Sequence, residues 1–99
     1  MNMKAVFVAY NQAYYEEIAE LLASFGCRGF TRWNDIAGQG GVDGEPHLGN
    51  HTWPTMNDAL LAFVPDDKVD GILEKIRQKD ENSPALGLRA FVWAVEKSC

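Results

Sequence analysis

The amino-acid sequence predicts an α+β domain of the ferredoxin-like type, a βαββαβ sandwich in which two helices cover one face of a four-stranded antiparallel sheet. The chain has 99 residues, which suits a single domain, residues 1–99, with one core. Strand-like and helix-like patterns alternate in the order strand, helix, strand, strand, helix, strand. Residues 37–57 show neither pattern, so we predict a long central loop there. Two βαβ halves of this size fit the split-βαβ arrangement.

The first half begins with a predicted strand at Met3–Tyr10, which is rich in β-branched and aromatic residues. Asn11 is suited to cap the helix that follows. Gly26 supplies the left-handed residue that ends this helix, and Arg28–Ile36 is predicted as the second strand. The apolar stripe of the helix recurs at helical spacing and consists of Tyr14, Ile18, Leu21, Leu22 and Phe25.

The second half begins with Asp58–Val64, an apolar run typical of a strand buried on both faces. Pro65 and two aspartates open the second helix. Asp80–Ala85 is predicted as a loop and Leu86–Val95 as the last strand. The stripe of the second helix consists of Val69, Ile72, Leu73 and Ile76.

The first, third and fourth strands are apolar at consecutive positions rather than at alternate ones. Two helices can cover only one face of the sheet, so the other face would expose a large apolar patch. We therefore predict that the open face is buried against other copies of the chain.

Composition excludes some partners and locations. The net charge of −5 argues against nucleic acid as the main partner, because phosphate backbones require a basic face. The N-terminal sequence does not have the pattern of a signal peptide. The only cysteines, Cys27 and Cys99, do not form a disulfide framework, so we expect a reducing, cytoplasmic location.

The predicted loop contains both histidines of the chain. His47 and His51 are four residues apart, and on one helical turn both imidazoles would share a face and bind Zn²⁺ or Cu²⁺. Glu45 or Asp43 would add an oxygen ligand. The alternative is that both are ordinary loop histidines. Trp53 precedes a proline and either packs on its own assembly or docks on a partner.

Four short motifs resemble the PII-type signal-transduction superfamily, which includes nitrogen regulatory PII and CutA-type proteins. The run GCRGFT, Gly26–Thr31, resembles the family's glycine-rich entry to the second strand, and AGQG, Ala37–Gly40, resembles the root of its long T-loop. FVPDDKVDGILEKI, Phe63–Ile76, is similar to the third strand and second helix. LGLRAFVWAVEK, Leu86–Lys97, is similar to the basic B-loop and last strand.

The resemblance implies a homotrimer with small ligands in clefts between subunits and a T-loop that docks on regulated proteins such as membrane transporters. By position, Thr31 would line the cleft, and Gly38 and Gly40 would shape the base of the loop. Arg89 would stand at the family's phosphate-binding lysine, which implies an adenine nucleotide as ligand. Without the resemblance, Arg89 is best explained as an ion-pair partner across subunits, and with it phosphate or carboxylate binding becomes an equal alternative. Arg28 and Arg32 would add positive charge on the neighbouring strand.

Three functions follow from these observations. The first is a non-enzymatic, trimeric PII-like sensor that signals through residues 37–57. The second is a trimeric Zn²⁺- or Cu²⁺-binding protein that uses His47 and His51. The third is a small enzyme of ferredoxin-like fold, although the sequence has neither a nucleophile-elbow motif nor a Walker loop. Asp43, Glu45 and His47 would be its acid–base group.

Overall fold

The computed structural model describes residues 2–38, 46–50, 55–83 and 87–99. The elements are, in chain order, strand β1 (Met3–Asn11), a 3₁₀ turn (Gln12–Tyr14), helix α1 (Tyr15–Ser24), strand β2 (Thr31–Ile36), strand β3 (Asn57–Pro65), a 3₁₀ turn (Asp66–Lys68), helix α2 (Val69–Asn82) and strand β4 (Arg89–Ala94). The strands form one sheet in the order β2-β3-β1-β4, with every neighbouring pair antiparallel. The predicted fold class is confirmed.

The junction between β1 and α1 is built as the sequence predicts. The side chain of Asn11 accepts a hydrogen bond of 3.0 Å from the backbone N–H of Ala13 and so caps the 3₁₀ turn. At the far end of α1, Gly26 has a φ of 78°, a conformation that glycine adopts without strain.

The second strand begins at Thr31, so its predicted start at Arg28 is wrong. The backbone N–H of Cys27 still bonds to the carbonyl of Leu22 at 3.0 Å, which closes the end of α1. Residues 28–30 then connect this helix end to strand β2 at the edge of the sheet.

The second helix extends to Asn82, beyond the loop start predicted at Asp80. Arg77 forms ion pairs with Glu74 and Glu81 along the exposed side of α2. Pairs at these spacings support the last helical turns. The last strand begins later than predicted, at Arg89, because Gly87 adopts a φ of 59° and interrupts the extended chain.

The core lies between the two helices and one face of the sheet, which we call the covered face. Side chains of β1 and β3 that point to this face alternate with those that point away. The largest fully buried hydrophobic side chains of the core are Tyr10, Ile18, Leu22, Leu60, Ile72, Leu88, Val6, Val8 and Val64.

The opposite face of the sheet, which we call the open face, carries large apolar side chains that this chain leaves exposed. Phe7 lies in register with Leu61 on one side and with Phe91 on the other. The exposed fractions of the four largest side chains lie between 44% and 59%, and these residues are Trp33, Phe63, Phe91 and Trp93. The apolar open face predicted from the sequence is therefore present. None of the described helices is long and apolar enough to span a membrane.

Candidate functional site

An open cleft of about 400 Å³ lies at the end of the open face, where three segments of the chain meet. Gly38 comes from the segment after β2 and Asn57 from the start of β3, while Gly87 lies in the turn before β4 and Arg89 is the first residue of β4. Phe7, Phe91 and neighbouring sheet residues form its apolar side. This size falls in the range typical of small-ligand sites.

Beside the cleft, backbone pairing joins the start of the long loop to a residue near its middle. The N–H of Gly38 donates to the carbonyl of His47 at 2.8 Å, and the N–H of His47 donates to the carbonyl of Gly38 at 2.7 Å. These two reciprocal bonds fix the position of His47 relative to Gly38, one of the predicted ligand residues.

The side chain of His47 is buried, with 5% of the residue exposed. Its Nδ1 lies 2.6 Å from Oδ1 of Asn57. Because an amide oxygen only accepts hydrogen bonds, Nδ1 is the donor in this pair. The ring also lies against Gly87, where an added Cβ would be 3.2 Å from Cε1 of His47. His47 therefore packs among the segments that build the cleft.

Gly38 is needed for the approach of Asn57. A Cβ placed on Gly38 would lie 2.7 Å from Nδ2 of Asn57, which is closer than side-chain atoms tolerate. The amide nitrogen of Asn57 is thus directed toward the backbone at Gly38, and both residues line the cleft.

Arg89 is the cationic residue among those that line the cleft. Its Nη1 donates to the carbonyl of Leu88 at 2.7 Å and lies 3.6 Å from Oδ2 of Asp80. Both side chains of this ion pair are more than one-third exposed, so the pair contributes little stability. The side chain of Arg89 is 44% exposed, and the residue lines the cleft.

A second polar cluster lies on the covered face, around Asp58, the residue that follows Asn57 in the chain. Nε and Nη2 of Arg32 donate to Oδ2 of the buried Asp58 at 3.0 and 2.6 Å. The guanidinium carbon of Arg32 lies 3.5 Å from the ring centroid of Tyr15. Oδ1 of Asp58 accepts the backbone N–H of Asp35 at 3.1 Å. Arg32 is thus engaged here, on the face away from the cleft.

Sequence reasoning did not identify Asn57 or Asp58 as functional or structural centres. An acidic residue at the head of an apolar strand is a usable signal, because a buried carboxylate requires a partner. Asp35, whose φ of 55° is uncommon for a residue with a side chain, gives no such signal in the sequence. It lies within the irregularity between Trp33 and Ile36 that ends the regular pairing of β2 with β3.

The predicted ligand residues divide into three groups. Gly38 and Arg89 meet at the cleft, although the chain separates them by the whole of β3 and α2. Thr31 is exposed at the start of edge strand β2, opposite Leu61, and is not among the residues that line the cleft. Gly40, Asp43, Glu45, His51 and Trp53 lie outside the described residues.

The metal hypothesis has little support at His47, since this ring is buried and Nδ1 is bonded to Asn57. Within residues 2–38, 46–50, 55–83 and 87–99, no group of three His, Cys, Asp or Glu side chains is placed to hold a metal ion.

The family model described as nitrogen regulatory protein P-II matches residues 3–99. Comparison with curated protein sequences gives no match. Among solved structures, CPII from Thiomonas intermedia K12, a nitrogen regulatory PII-like protein bound to ADP, AMP and bicarbonate, superposes with a TM-score of 0.78. It is 23% identical, and the match covers 96% of this chain and 87% of that chain.

Two further structures share the fold. The apo form of CPII has a TM-score of 0.74 at 20% identity, with 96% of this chain and 90% of that chain covered. A PII-like signaling protein from Thermus thermophilus has a TM-score of 0.67 at 22% identity, with 96% of this chain and 88% of that chain covered.

Proposed function

Because the chain belongs to the nitrogen regulatory protein P-II family, we propose that it is a non-enzymatic regulatory protein that works as a homotrimer in the cytoplasm. In this proposal an adenine nucleotide binds at the cleft, and its occupancy changes the conformations available to residues 37–57. The loop then docks on a regulated partner, such as a membrane transporter.

The observation that carries the proposal is the meeting of Gly38, Gly87 and Arg89 around one cleft. Arginine pairs strongly with phosphate through its planar, permanently charged guanidinium. Gly87 has no side chain and a positive φ, so the backbone beside Arg89 can approach a phosphate closely. The apolar side of the cleft, with Phe7 and Phe91, suits an aromatic base.

The trimer is supported by the open face. Its exposed aromatic side chains form a patch that a single chain leaves in water, and pairing with other copies would bury it. Thr31 lies on the edge strand β2, away from the cleft of its own chain. In a trimer with clefts between subunits, Thr31 is suited to face the cleft of a neighbouring copy.

The ligand class is supported by two considerations. CPII, which shares the fold, is bound to ADP, AMP and bicarbonate. An acidic chain with a net charge of −5 can still hold one anion where a local cation faces the ligand, and Arg89 provides that charge. We propose ADP or a related adenine nucleotide as the main ligand and bicarbonate as a second anion to test.

The route to the loop passes through its base. Gly38 lines the cleft and also pairs with His47, so a ligand that contacts Gly38 touches the point where the loop begins. A ligand that favours one arrangement of this base shifts the population of loop conformations. Gly40 would shape the same base and Trp53 would contact the partner.

Calorimetric titration with ADP tests the nucleotide. We expect native protein to bind ADP and Arg89→Ala to bind it at least tenfold more weakly, because a charge-assisted hydrogen bond contributes about 1.5–3 kcal/mol. Arg77→Ala, which removes an arginine from the exposed side of α2, is the matched control and should bind normally. Native protein that binds no adenine nucleotide at millimolar concentration would show the proposed ligand to be wrong.

A further inference from the structure

His47 contacts all three segments that build the cleft. Its backbone pairs with Gly38, its Nδ1 donates to Oδ1 of Asn57 at 2.6 Å, and its ring lies against Gly87. These contacts tie the base of the loop to the start of β3 and to the turn before β4. The hydrogen bond from the buried His47 restricts the orientation of the Asn57 amide.

We propose that His47 is a positioning residue that holds the amide of Asn57 with its N–H₂ group toward the cleft, as a hydrogen-bond donor for an oxygen of an anionic ligand. The oxygen belongs to a phosphate or to bicarbonate. This inference rests on the proposed function, since it assigns donors within the same cleft.

The chemistry of the amide gives the reason. One end of an asparagine amide only accepts hydrogen bonds and the other only donates them. His47 occupies the accepting end, and the donating end lies beside Gly38, which lines the cleft with Asn57. A rotation of the amide by half a turn would place Oδ1 beside the ligand and bring two oxygens into contact. It would also set Nδ2 against Nδ1 of His47, which could bond to it only as an acceptor, in the other tautomer of the ring.

Arg89 and Asn57 would then act on the anion together. Arg89 supplies the positive charge on one segment, and Asn57 supplies a neutral donor on another. A donor held in one orientation before the ligand arrives loses little conformational freedom on binding. Nδ2 of Asn57 lies so close to Gly38 that a side chain at position 38 would clash with it.

A matched pair of substitutions at His47 separates positioning from packing. His47→Asn keeps an N–H donor near the place of Nδ1, whereas His47→Leu has the same branching and no donor. We expect His47→Leu to weaken binding about tenfold, the effect of losing one well-placed hydrogen bond. His47→Asn should retain affinity within about threefold. Equal losses in the two variants would overturn the positioning role.

A substitution at the partner tests the donor itself. Asn57→Asp keeps an oxygen that accepts from His47 and replaces the N–H₂ group by a second, negatively charged oxygen. We expect binding to fall more than tenfold, with assembly unchanged. Asn82→Asp, which makes the same charge change at the end of α2, is the control and should bind normally.

Each protein is titrated by calorimetry with ADP alone, with bicarbonate alone, and with bicarbonate in the presence of saturating ADP. A loss confined to the ADP titration assigns the Asn57 donor to phosphate, and a loss confined to the bicarbonate titrations assigns it to bicarbonate. If Arg89→Ala weakens binding while Asn57→Asp and His47→Leu do not, the inference is wrong and the proposed function stands. If native protein binds neither ligand, both are wrong.

Discussion

The two faces of β3 differ in how completely one chain covers them. Leu60, on the covered face, is inaccessible to solvent, whereas Phe63, on the open face, is 54% exposed. The strand contributes to both faces at alternate residues, as strand geometry requires. The covered face is completed by the chain's own helices, and the open face is left for contacts that one chain does not make. If the proposed trimer forms through the open face, stability within the chain and assembly between chains depend on opposite faces of one strand.

The same division separates the adjacent residues Asn57 and Asp58. Asp58 points to the covered face, where Arg32 and the backbone of Asp35 satisfy its carboxylate. Asn57 lines the cleft and is bonded to His47. A single-residue step along the chain thus passes from a structural ion pair to the proposed ligand site.

The largest expected effect concerns assembly through the open face. The double substitution Phe63→Glu and Phe91→Glu places two charges in the proposed interface, where each would be desolvated. We expect the sedimenting species to fall from three times 11.0 kDa to 11.0 kDa, with the circular dichroism spectrum retained.

The control for this substitution is Asn82→Glu with Ser83→Glu, which adds the same charge at an exposed helix end. It should leave assembly unchanged. A native protein that sediments as a stable monomer at micromolar concentration would remove the trimer from the proposed function.

Two neighbouring leucines sharpen the contrast between the faces. Leu60→Ala on the covered face should lower the free energy of unfolding by about 2–5 kcal/mol and leave assembly intact, since it opens a cavity in the core. Leu61→Ala makes the same chemical change on the open face, where Leu61 is partly buried in the chain. We expect it to weaken assembly instead. Urea unfolding and sedimentation of both variants decide this, and identical profiles would contradict a division between the faces.

The Arg32–Asp58 pair is the next test. Asp58→Asn keeps the size of the side chain and removes its charge, so Arg32 loses its partner on the covered face. We expect a loss of about 1.5–3 kcal/mol in urea unfolding, because Asp58 is buried and accepts charge-assisted bonds. Arg32 is about one-third exposed and can turn toward water, which limits the loss.

The control for Asp58→Asn is Asp67→Asn, at an exposed position before α2, which should change stability by less than about 0.5 kcal/mol. ADP affinity should change little in Asp58→Asn. A variant with native stability and impaired binding would place Asp58 with the cleft instead.

The sequence predicted the fold well and the cleft in part, for identifiable physical reasons. Apolar periodicity is local, so the order of strands and helices and the apolar open face could be found without coordinates. Element ends were less accurate, because the start of β2 depends on how Cys27 closes the helix and the start of β4 on the φ of Gly87. The apolar periodicity of the sequence contains no information about this hydrogen bond or about this backbone angle.

The cleft depends on contacts between distant residues, and this limited its prediction. Gly38 and Arg89, which both line the cleft, were predicted as ligand residues through a resemblance that carries such contacts implicitly. The pairing of His47 with Asn57, ten residues apart across the loop, has no local signature. The spacing of His47 and His51 suggested a metal site, whereas the structure directs His47 to an amide.

The smallest expected effect concerns Tyr10, which lies opposite Asp58 in the pairing of β1 with β3. Its hydroxyl is buried and forms no hydrogen bond with the residues that the structure describes. Burial, followed by the negative charge of Asp58, raises the pKa of Tyr10 well above its ordinary value. Tyr10→Phe removes an unpaired polar group from the covered face, so we expect the free energy of unfolding to stay the same or rise by about 1 kcal/mol at neutral pH.

The pH dependence of the same variant provides the sharper measurement. Below about pH 10 the hydroxyl is protonated in both the folded and the unfolded chain, so its pKa shift has no effect on stability. Above about pH 10 the unfolded chain releases the proton more readily than the folded chain, and the native protein loses stability as pH rises. At about pH 11 this loss is about 1.4 kcal/mol for one tyrosine that stays protonated when folded. Tyr10→Phe should lack this part of the loss, and urea unfolding of both proteins at about pH 8 and about pH 11 measures the difference. Equal losses in the two proteins would mean that the Tyr10 hydroxyl ionises as freely in the folded protein as in the unfolded chain. The covered face would then admit more water around Tyr10 than its low exposure indicates.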